Sequence, residues 1–189
     1  MKKYLIVGLG NVGDQYFETR HNLGFMVLNY FAENNDLSFE EVKYGSICKY
    51  KSKGRSFILL KPNTYMNLSG KAVKYWLSKE NIGIENLLVI SDDINLPLCN
   101  FRIRSNGSCG GHNGLLDIEN TLNTSVYNRL RIGISSDYKN FNQIDFVLGK
   151  LNEDEHNELF SIFPKTCEVI ISFVMNGIDS TMNSYNSKK

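Results

Sequence analysis

The sequence predicts an α/β fold, in which a single twisted, mixed β-sheet is flanked by helices. Short apolar runs typical of buried strands alternate along the chain with segments whose apolar residues recur at helical spacing. One run, residues 87–90, is continuously apolar, as in strands that are covered on both faces. The chain has 189 residues, of which 42% are hydrophobic, enough to bury one substantial core. We therefore expect residues 1–189 to form one domain.

The first half of the chain is predicted to contain three strands and two helices. In order, these are a strand at residues 3–7, a helix from Leu23 to about Phe31, strands at residues 46–50 and 56–60, and a helix from Ser69 to about Leu77. The two middle strands are joined by Lys51-Ser52-Lys53-Gly54, a hairpin signal. Ser69 is a residue type preferred at helix N-caps, so we expect it to cap the second helix.

The second half is predicted to continue the alternation of strands and helices. The predicted elements are a buried strand at residues 87–90 that ends at Asp92-Asp93, a strand at 101–104, a glycine-rich loop at 106–114 leading into a short helix, a strand at 129–134, a short apolar segment at 146–148, an amphipathic helix at 153–175 and a short terminal helix. Pro164 could interrupt the amphipathic helix.

The segment after the first strand contains the G-x-G-x-x-G spacing of dinucleotide-binding folds, at Gly8, Gly10 and Gly13. Such glycines should open a helix whose N-terminus holds a pyrophosphate. Residues 14–20 lack the apolar face of that helix, and Asp36, about 20 residues on, follows a helix instead of a strand. NAD or FAD binding is therefore a minor alternative, and we expect no cofactor.

Charge and composition limit the other classes of function. The net charge is +1, yet nine cations and no acid lie between residues 43 and 79. This segment could bind a phosphate-bearing partner, or its lysines could simply be solvated side chains at the edges of strands and helices. The four cysteines form no C-x-x-C pair, and three histidines are sparse for a metal site. Because no apolar stretch reaches the length of a membrane span and the N-terminus lacks a signal peptide, we expect a cytoplasmic protein without a membrane association.

Three polar clusters follow predicted strands, at the sheet edge where ligands bind in such folds. They are Asn11 with His21, Asp92, and the loop that carries His112 and Asn113. A neutral histidine can take a proton from water, and a carboxylate fixes its tautomer. The clusters therefore suggest a hydrolase in which His21 activates water and Asp92 orients the His21 ring.

Other interpretations of the same residues stay open on this evidence. A histidine beside an asparagine at a helix start is often a cap arrangement. Asp92 and Asp93 could end a strand or bind Mg²⁺. No serine lies in a G-x-S-x-G nucleophile elbow, and His156, in a polar stretch, is expected at the surface.

Taken together, the motifs resemble those of the bacterial peptidyl-tRNA hydrolase family, from about residue 5 to residue 183. The segments that carry the resemblance, in order along the chain, are residues 7–13 (VGLGNVG), 19–24 (TRHNLG), 61–70 (KPNTYMNLSG), 92–97 (DDINLP), 107–114 (GSCGGHNG), 129–134 (RLRIGI) and 146–149 (FVLG). Each motif alone is weak, and their shared order makes the likeness specific.

The resemblance implies a three-layer α/β/α fold and hydrolysis of the ester that joins a peptide to the 3′ ribose of tRNA. It implies catalysis by His21 and Asp92 in a monomer that needs no metal, cofactor or obligate protein partner. Further residues are implied to contact the substrate: Asn11, Tyr16, Tyr65, Met66, Asn67, His112 and Asn113 around the peptide and acceptor end, and Arg104 and Arg131 at a tRNA phosphate.

Three positions depart from the usual family pattern. Val12 stands where proline is common, Asn95 where an acid is common, and Cys109 where a smaller residue is common. The likeness also extends to relatives that act in RNA splicing, so a noncatalytic RNA-binding module is the second hypothesis. The presence of both His21 and Asp92 favours the enzyme.

Overall fold

A computed structural model describes residues 1–135 and 142–186 of the chain. The strands are β1 (Lys2–Gly8), β2 (Glu40–Val42), β3 (Gly45–Ser52), β4 (Arg55–Pro62), β5 (Leu87–Pro97), β6 (Phe101–Arg104) and β7 (Asn128–Ser135). The helices are α1 (Leu23–Glu33), α2 (Ser69–Glu80), α3 (Asn113–Leu122), α4 (Gln143–Leu148), α5 (Glu153–Asn176) and α6 (Ile178–Tyr185). Short 3₁₀ turns lie at Asp14–Tyr16, Arg20–Asn22, Met66–Leu68 and Ile84–Asn86.

The strands form one mixed sheet in the order β2-β3-β4-β1-β5-β7-β6. The four central strands, β4, β1, β5 and β7, run parallel. The predicted hairpin is confirmed as β3 and β4, which pair antiparallel, and β2 and β6 add antiparallel edges. Because the central strands are parallel, their carboxyl ends meet at one edge of the sheet, where the predicted polar clusters lie.

Both faces of the sheet are buried beneath helices. In β1, Tyr4 and Ile6 join a core with α1 and α5, whereas Leu5 and Val7 join a second core with α2 and α3. This alternation is the consequence of successive strand side chains pointing to opposite faces. The three-layer α/β/α arrangement confirms the predicted fold class.

The glycines after β1 serve packing of the helix against the sheet. A Cβ atom on Gly8 would collide with the backbone of Gly24 in α1, and one on Gly10 would lie 2.7 Å from the Phe25 ring. Gly13 has φ +114°, a conformation that side chains disfavour. Since 3₁₀ turns follow in place of a long helix, the segment does not build the helix N-terminus of a dinucleotide fingerprint.

Five details of the sequence prediction were wrong or incomplete. Ser69 is the first helical residue of α2 and not its cap, because its hydroxyl donates back to the Met66 carbonyl at 2.7 Å. β5 runs on through Asp92 to Pro97, paired with β7 through Asp93 and again, after a break in register, at Pro97. α5 is continuous through Pro164, which is exposed, so the missing hydrogen bond falls on the solvent side. The segment at 146–148 belongs to helix α4, and strand β2 was not predicted.

No helix within residues 1–135 and 142–186 combines the length and the apolar character needed to cross a bilayer.

Candidate active site

The 3₁₀ turn Arg20–Asn22 places His21 against Asp92 of β5. Its Nδ1 lies 2.9 Å from Oδ1 and 3.1 Å from Oδ2 of Asp92. Both side chains are buried, with 7% of His21 and 2% of Asp92 exposed. Asp92 therefore holds His21 by one ring nitrogen, as the sequence predicted. Nε2 has no hydrogen-bond partner among the described residues, and His21 borders two cavities.

The electrostatics of the pair favour a carboxylate beside a basic imidazole. Burial of Asp92 alone would raise its pKa, but the two neighbouring histidines outweigh burial and lower that pKa well below the usual range of aspartate. Burial also lowers the pKa of His21, and the charge and hydrogen bond of Asp92 overcome this and raise it above 6.5. Asp92 is thus ionised whenever His21 acts as a base.

His112 completes a buried cluster with His21 and Asp92. Its Nε2 lies 3.0 Å from Asp92 Oδ1, and the two imidazole rings are 4.7 Å apart between centroids. On its other side, Nδ1 accepts hydrogen bonds from the backbone N–H groups of Gly114 and Leu115, at 3.1 and 3.3 Å. His112 is thus the N-cap of α3, and it orients the same carboxylate that orients His21.

The cluster contradicts the sequence argument that the histidines are too sparse for a metal site. Ligand atoms of His21, Asp92 and His112 all lie within 4.8 Å of one another. The hydrogen bonds nevertheless disfavour an ion, because a metal-bound His112 Nε2 would require Nδ1 to carry a proton, facing two backbone donors. We interpret the cluster as a hydrogen-bonded group that orients His21.

Asn11 is fixed in one orientation by two neighbours. Its Oδ1 accepts from the backbone N–H of Met66 at 2.8 Å, and its own backbone exchanges two hydrogen bonds with the side chain of Asn22, both 2.8 Å. With Oδ1 engaged, the Nδ2 amino group remains a donor for a ligand. Asn22, which sequence analysis did not assign a role, is therefore the residue that holds the Asn11 loop.

Six of the seven predicted peptide-side residues share one cavity of about 420 Å³ with His21, whereas His112 lines a separate, smaller cavity. The lining of the larger cavity includes Asn11, Tyr16, His21, Tyr65, Met66, Asn67 and Asn113. Tyr65 is 60% exposed at its rim, whereas Met66 is buried. Helix α4 contributes Ile144, Val147 and Leu148, which no local sequence signal marked as site residues because they come from a distant element.

A smaller cavity of about 40 Å³ lies on the other side of His21, beside His112. The glycine-rich loop lines it, including Cys109, together with Arg131. Arg131 Nε lies 2.9 Å from Asp93 Oδ2. Asn95 connects strand and loop, because its backbone N–H donates to Asp93 and its side chain reaches the Gly110 carbonyl at 3.4 Å.

The two predicted phosphate ligands lie on adjacent strands of the sheet. Arg131 is on β7, and Arg104 is exposed on β6, where it pairs in register with Arg129. Arg131 and Arg129 are two residues apart, so Arg104 and Arg131 share a face of the sheet. Arg129 itself is fully buried and paired with Glu119 at 3.1 Å. The accessible cations on these two strands are Arg104, the partly buried Arg131, and Arg102, which is exposed and pairs in register with Arg131.

The cations between residues 43 and 79 do not form one uniform phosphate-binding face. Lys49 pairs with Glu80 at 3.2 Å, and Lys61 donates to Asn29 at 2.7 Å. Lys43 and Lys71 lie over the ring of Tyr44, 5.3 and 5.0 Å from its centroid.

Arg20, to which the sequence motifs assigned no role, ties the turn Arg20–Asn22 to α4 and α5. Arg20 Nη2 lies 2.6 Å from Glu155 Oε2, Nη1 donates to the Phe146 carbonyl at 3.3 Å, and the guanidinium lies 4.4 Å from the Phe146 ring centroid. Glu155 also closes a capping box with Asn152 at the start of α5. His156, predicted at the surface, is partly exposed and stacks on Phe160.

Comparison with known proteins gives a consistent result. A family model described as peptidyl-tRNA hydrolase matches residues 5–189. Peptidyl-tRNA hydrolase from Parabacteroides distasonis is 50% identical over 98% of this chain and 100% of its own length. One from Bacteroides fragilis is 51% identical, with the same coverage. The crystal structure of the Acinetobacter baumannii peptidyl-tRNA hydrolase superposes with a TM-score of 0.90 at 31% identity, covering 98% of this chain and 95% of that one.

Proposed function

The chain belongs to the peptidyl-tRNA hydrolase family and hydrolyses peptidyl-tRNA, and on this premise we propose that His21 is the base that activates the attacking water. The observation that carries the proposal is the Nδ1 hydrogen bond from buried His21 to Asp92, which leaves Nε2 available beside the cavity. The noncatalytic RNA-binding alternative is not retained.

The proposed reaction is a direct hydrolysis of the ester. Water bound to His21 Nε2 attacks the ester carbonyl carbon while Nε2 takes its proton. Asp92 stabilises the resulting imidazolium. When the tetrahedral intermediate collapses, the bond to the 3′ oxygen of the ribose breaks, and that oxygen takes the proton back from His21. The products are a tRNA with a free ribose hydroxyl and a peptide carboxylic acid, which releases its proton to solvent and becomes a carboxylate.

Neutral amide groups stabilise the reacting peptide and select for it. The Nδ2 group of Asn11 donates to a carbonyl of the peptide backbone, and Asn67 and Asn113 supply further amide contacts along the same cavity. An aminoacyl-tRNA with a free amino group carries an ammonium at this position. An ammonium offers no acceptor to Asn11 and brings a positive charge against a donor, so binding is weakened.

The tRNA is held on the opposite side of His21, where Arg104 and Arg131 bind a phosphate of its acceptor end. Tyr16 and Tyr65 stack against the bound ends of the substrate. The whole chain, residues 1–189, works as one domain and as a monomer, in the cytoplasm, without a metal ion, a cofactor or an obligate protein partner.

The selectivity is tested by incubating the protein with N-acetylated aminoacyl-tRNA and with its unacetylated form. We expect hydrolysis of the acetylated substrate alone. The variant Asn11→Asp keeps the acceptor for the Met66 backbone N–H and loses the Nδ2 donor. It should therefore reduce the free-energy preference for the acetylated over the unacetylated substrate by about 1–3 kcal/mol. Asn176→Asp, at an exposed residue of α5 that does not line the cavity, is the matched control. Equal hydrolysis of both substrates by the unmodified protein would contradict the role of Asn11.

A further inference from the structure

His112 is fixed in a single tautomer by the helix that it caps. The first N–H groups of a helix have no partner within the helix. At the start of α3, two of these groups, from Gly114 and Leu115, donate to His112 Nδ1. A backbone N–H can only donate, so Nδ1 must present its lone pair and the ring proton must be on Nε2.

The Nε2–H of His112 donates to the same Asp92 oxygen that His21 Nδ1 contacts. Asp92 Oδ1 lies 3.0 Å from His112 Nε2 and 2.9 Å from His21 Nδ1. Both rings are donors toward Asp92 and neither accepts a proton from it. His112 is only 9% exposed, and its two ring nitrogens are both engaged, so it has no nitrogen left to take a proton from water.

We infer that His112 is a positioning residue that shares Asp92 with His21. By doing so, it limits how strongly that carboxylate stabilises the protonated form of His21. This inference rests on the proposed role of His21. A carboxylate favours the protonated form of a neighbouring imidazole. A second donor on the same oxygen spreads the negative charge and weakens the bond to the first. His112 therefore keeps a larger fraction of His21 in the unprotonated, active form at neutral pH.

The packing around α3 maintains this arrangement. A Cβ atom on Gly114 would lie 2.6 Å from Met66 Sδ and 3.1 Å from His112 Cε1. Glycine therefore lets the first turn of α3 approach both the cavity wall and the His112 ring.

Few charged groups other than Asp92 can act on His21. Asp93 is paired with Arg131, and Arg20 is directed at Glu155. On α4, which packs against the turn Arg20–Asn22, Asp145 is the sole charged residue, and it is exposed.

The test combines a pH profile with a direct observation of the tautomers. His112→Asn keeps a good cap for α3 and loses the donor to Asp92. We expect the acid limb of kcat/KM to move to higher pH by about half a unit or more. This corresponds to a roughly threefold loss on the acid side, with a smaller loss at high pH. His156→Asn is the matched control, because it removes a histidine remote from Asp92 and should leave the limb in place.

Nitrogen NMR of the folded, unmodified protein, recorded at a pH above the acid limb, should show the proton of His112 on Nε2 and that of His21 on Nδ1. An unmoved acid limb in folded His112→Asn, or a proton on His112 Nδ1, would overturn the inference. If His21→Ala retains activity, the proposed role of His21 as the base is wrong. The sharing of Asp92 by the two histidines is still supported in that case if NMR shows the expected tautomers.

Discussion

The ion pair between Arg20 and Glu155 gives the most quantitative test of how the fold supports the site. The two side chains are 12% and 7% exposed, and their charged atoms are 2.6 Å apart. Substituting Glu155→Gln retains an oxygen that can accept from Asn152 N–H in the capping box. It removes the charge and leaves the Arg20 guanidinium buried without its carboxylate.

The expected loss follows from the burial of the pair. Removing one partner of a buried ion pair costs about 3–5 kcal/mol, because the remaining charge is poorly solvated. Arg20 keeps its contacts with the Phe146 carbonyl and ring, so we expect the lower end, about 3 kcal/mol. For a chain of this size, a loss of 1 kcal/mol lowers Tm by roughly 2–4 °C. The variant should therefore melt about 6–12 °C below the unmodified protein.

The assay is thermal unfolding followed by circular dichroism, with a matched control on the same helix. Lys165 and Glu168 form a pair at 2.8 Å with both side chains more than half exposed. Glu168→Gln should therefore leave the stability almost unchanged. A double-mutant cycle with Arg20→Gln should give a coupling of about 2 kcal/mol or more. Equal Tm shifts for Glu155→Gln and Glu168→Gln would refute the reasoning.

Two further predictions concern catalysis and tRNA binding. Asp92→Asn should lower kcat about 10²–10⁴-fold, because His21 loses the partner that fixes its tautomer. Burial then acts without the opposing charge of Asp92 and lowers the pKa of His21, so the remaining acid limb should move to lower pH, and an upward shift in the pH profile would contradict this. Arg104→Ala should weaken tRNA binding and reduce the slope of log K against log salt by about one. Lys165→Ala, which removes the same charge from α5, is the control. If both variants change the slope of log K against log salt equally, Arg104 does not contact the phosphate.

Much of the fold could be predicted because its signals are local. The apolar run at residues 87–90 and the helical spacing from Leu23 to Phe31 each reflect burial of one segment, and both elements formed where expected. The end of β5 could not be placed in this way. Asp92 is tolerated inside a strand only because two histidines, distant in sequence, hydrogen-bond to its carboxylate.

The cavity residues were located by motif likeness, and the structure gathers seven of them around one space. The contacts that orient them depend on the tertiary fold and have no local signal. Arg20 meets Glu155 across 135 positions. Helix α4 reaches the cavity only because it folds back onto the turn Arg20–Asn22. Hydrogen bonding by His112 on both sides of its ring likewise requires α3 and β5 to be in place.

The most direct test of the proposed mechanism is the hydrolysis rate of N-acetylated aminoacyl-tRNA by the variant His21→Ala at saturating substrate. We predict a loss of about 10²–10⁴-fold relative to the unmodified protein, the usual contribution of a positioned base. His21→Gln serves as a companion that fills the same buried space, and circular dichroism confirms that each variant is folded. Hydrolysis by both folded variants within about tenfold of the unmodified rate would contradict the assignment of His21 as the base.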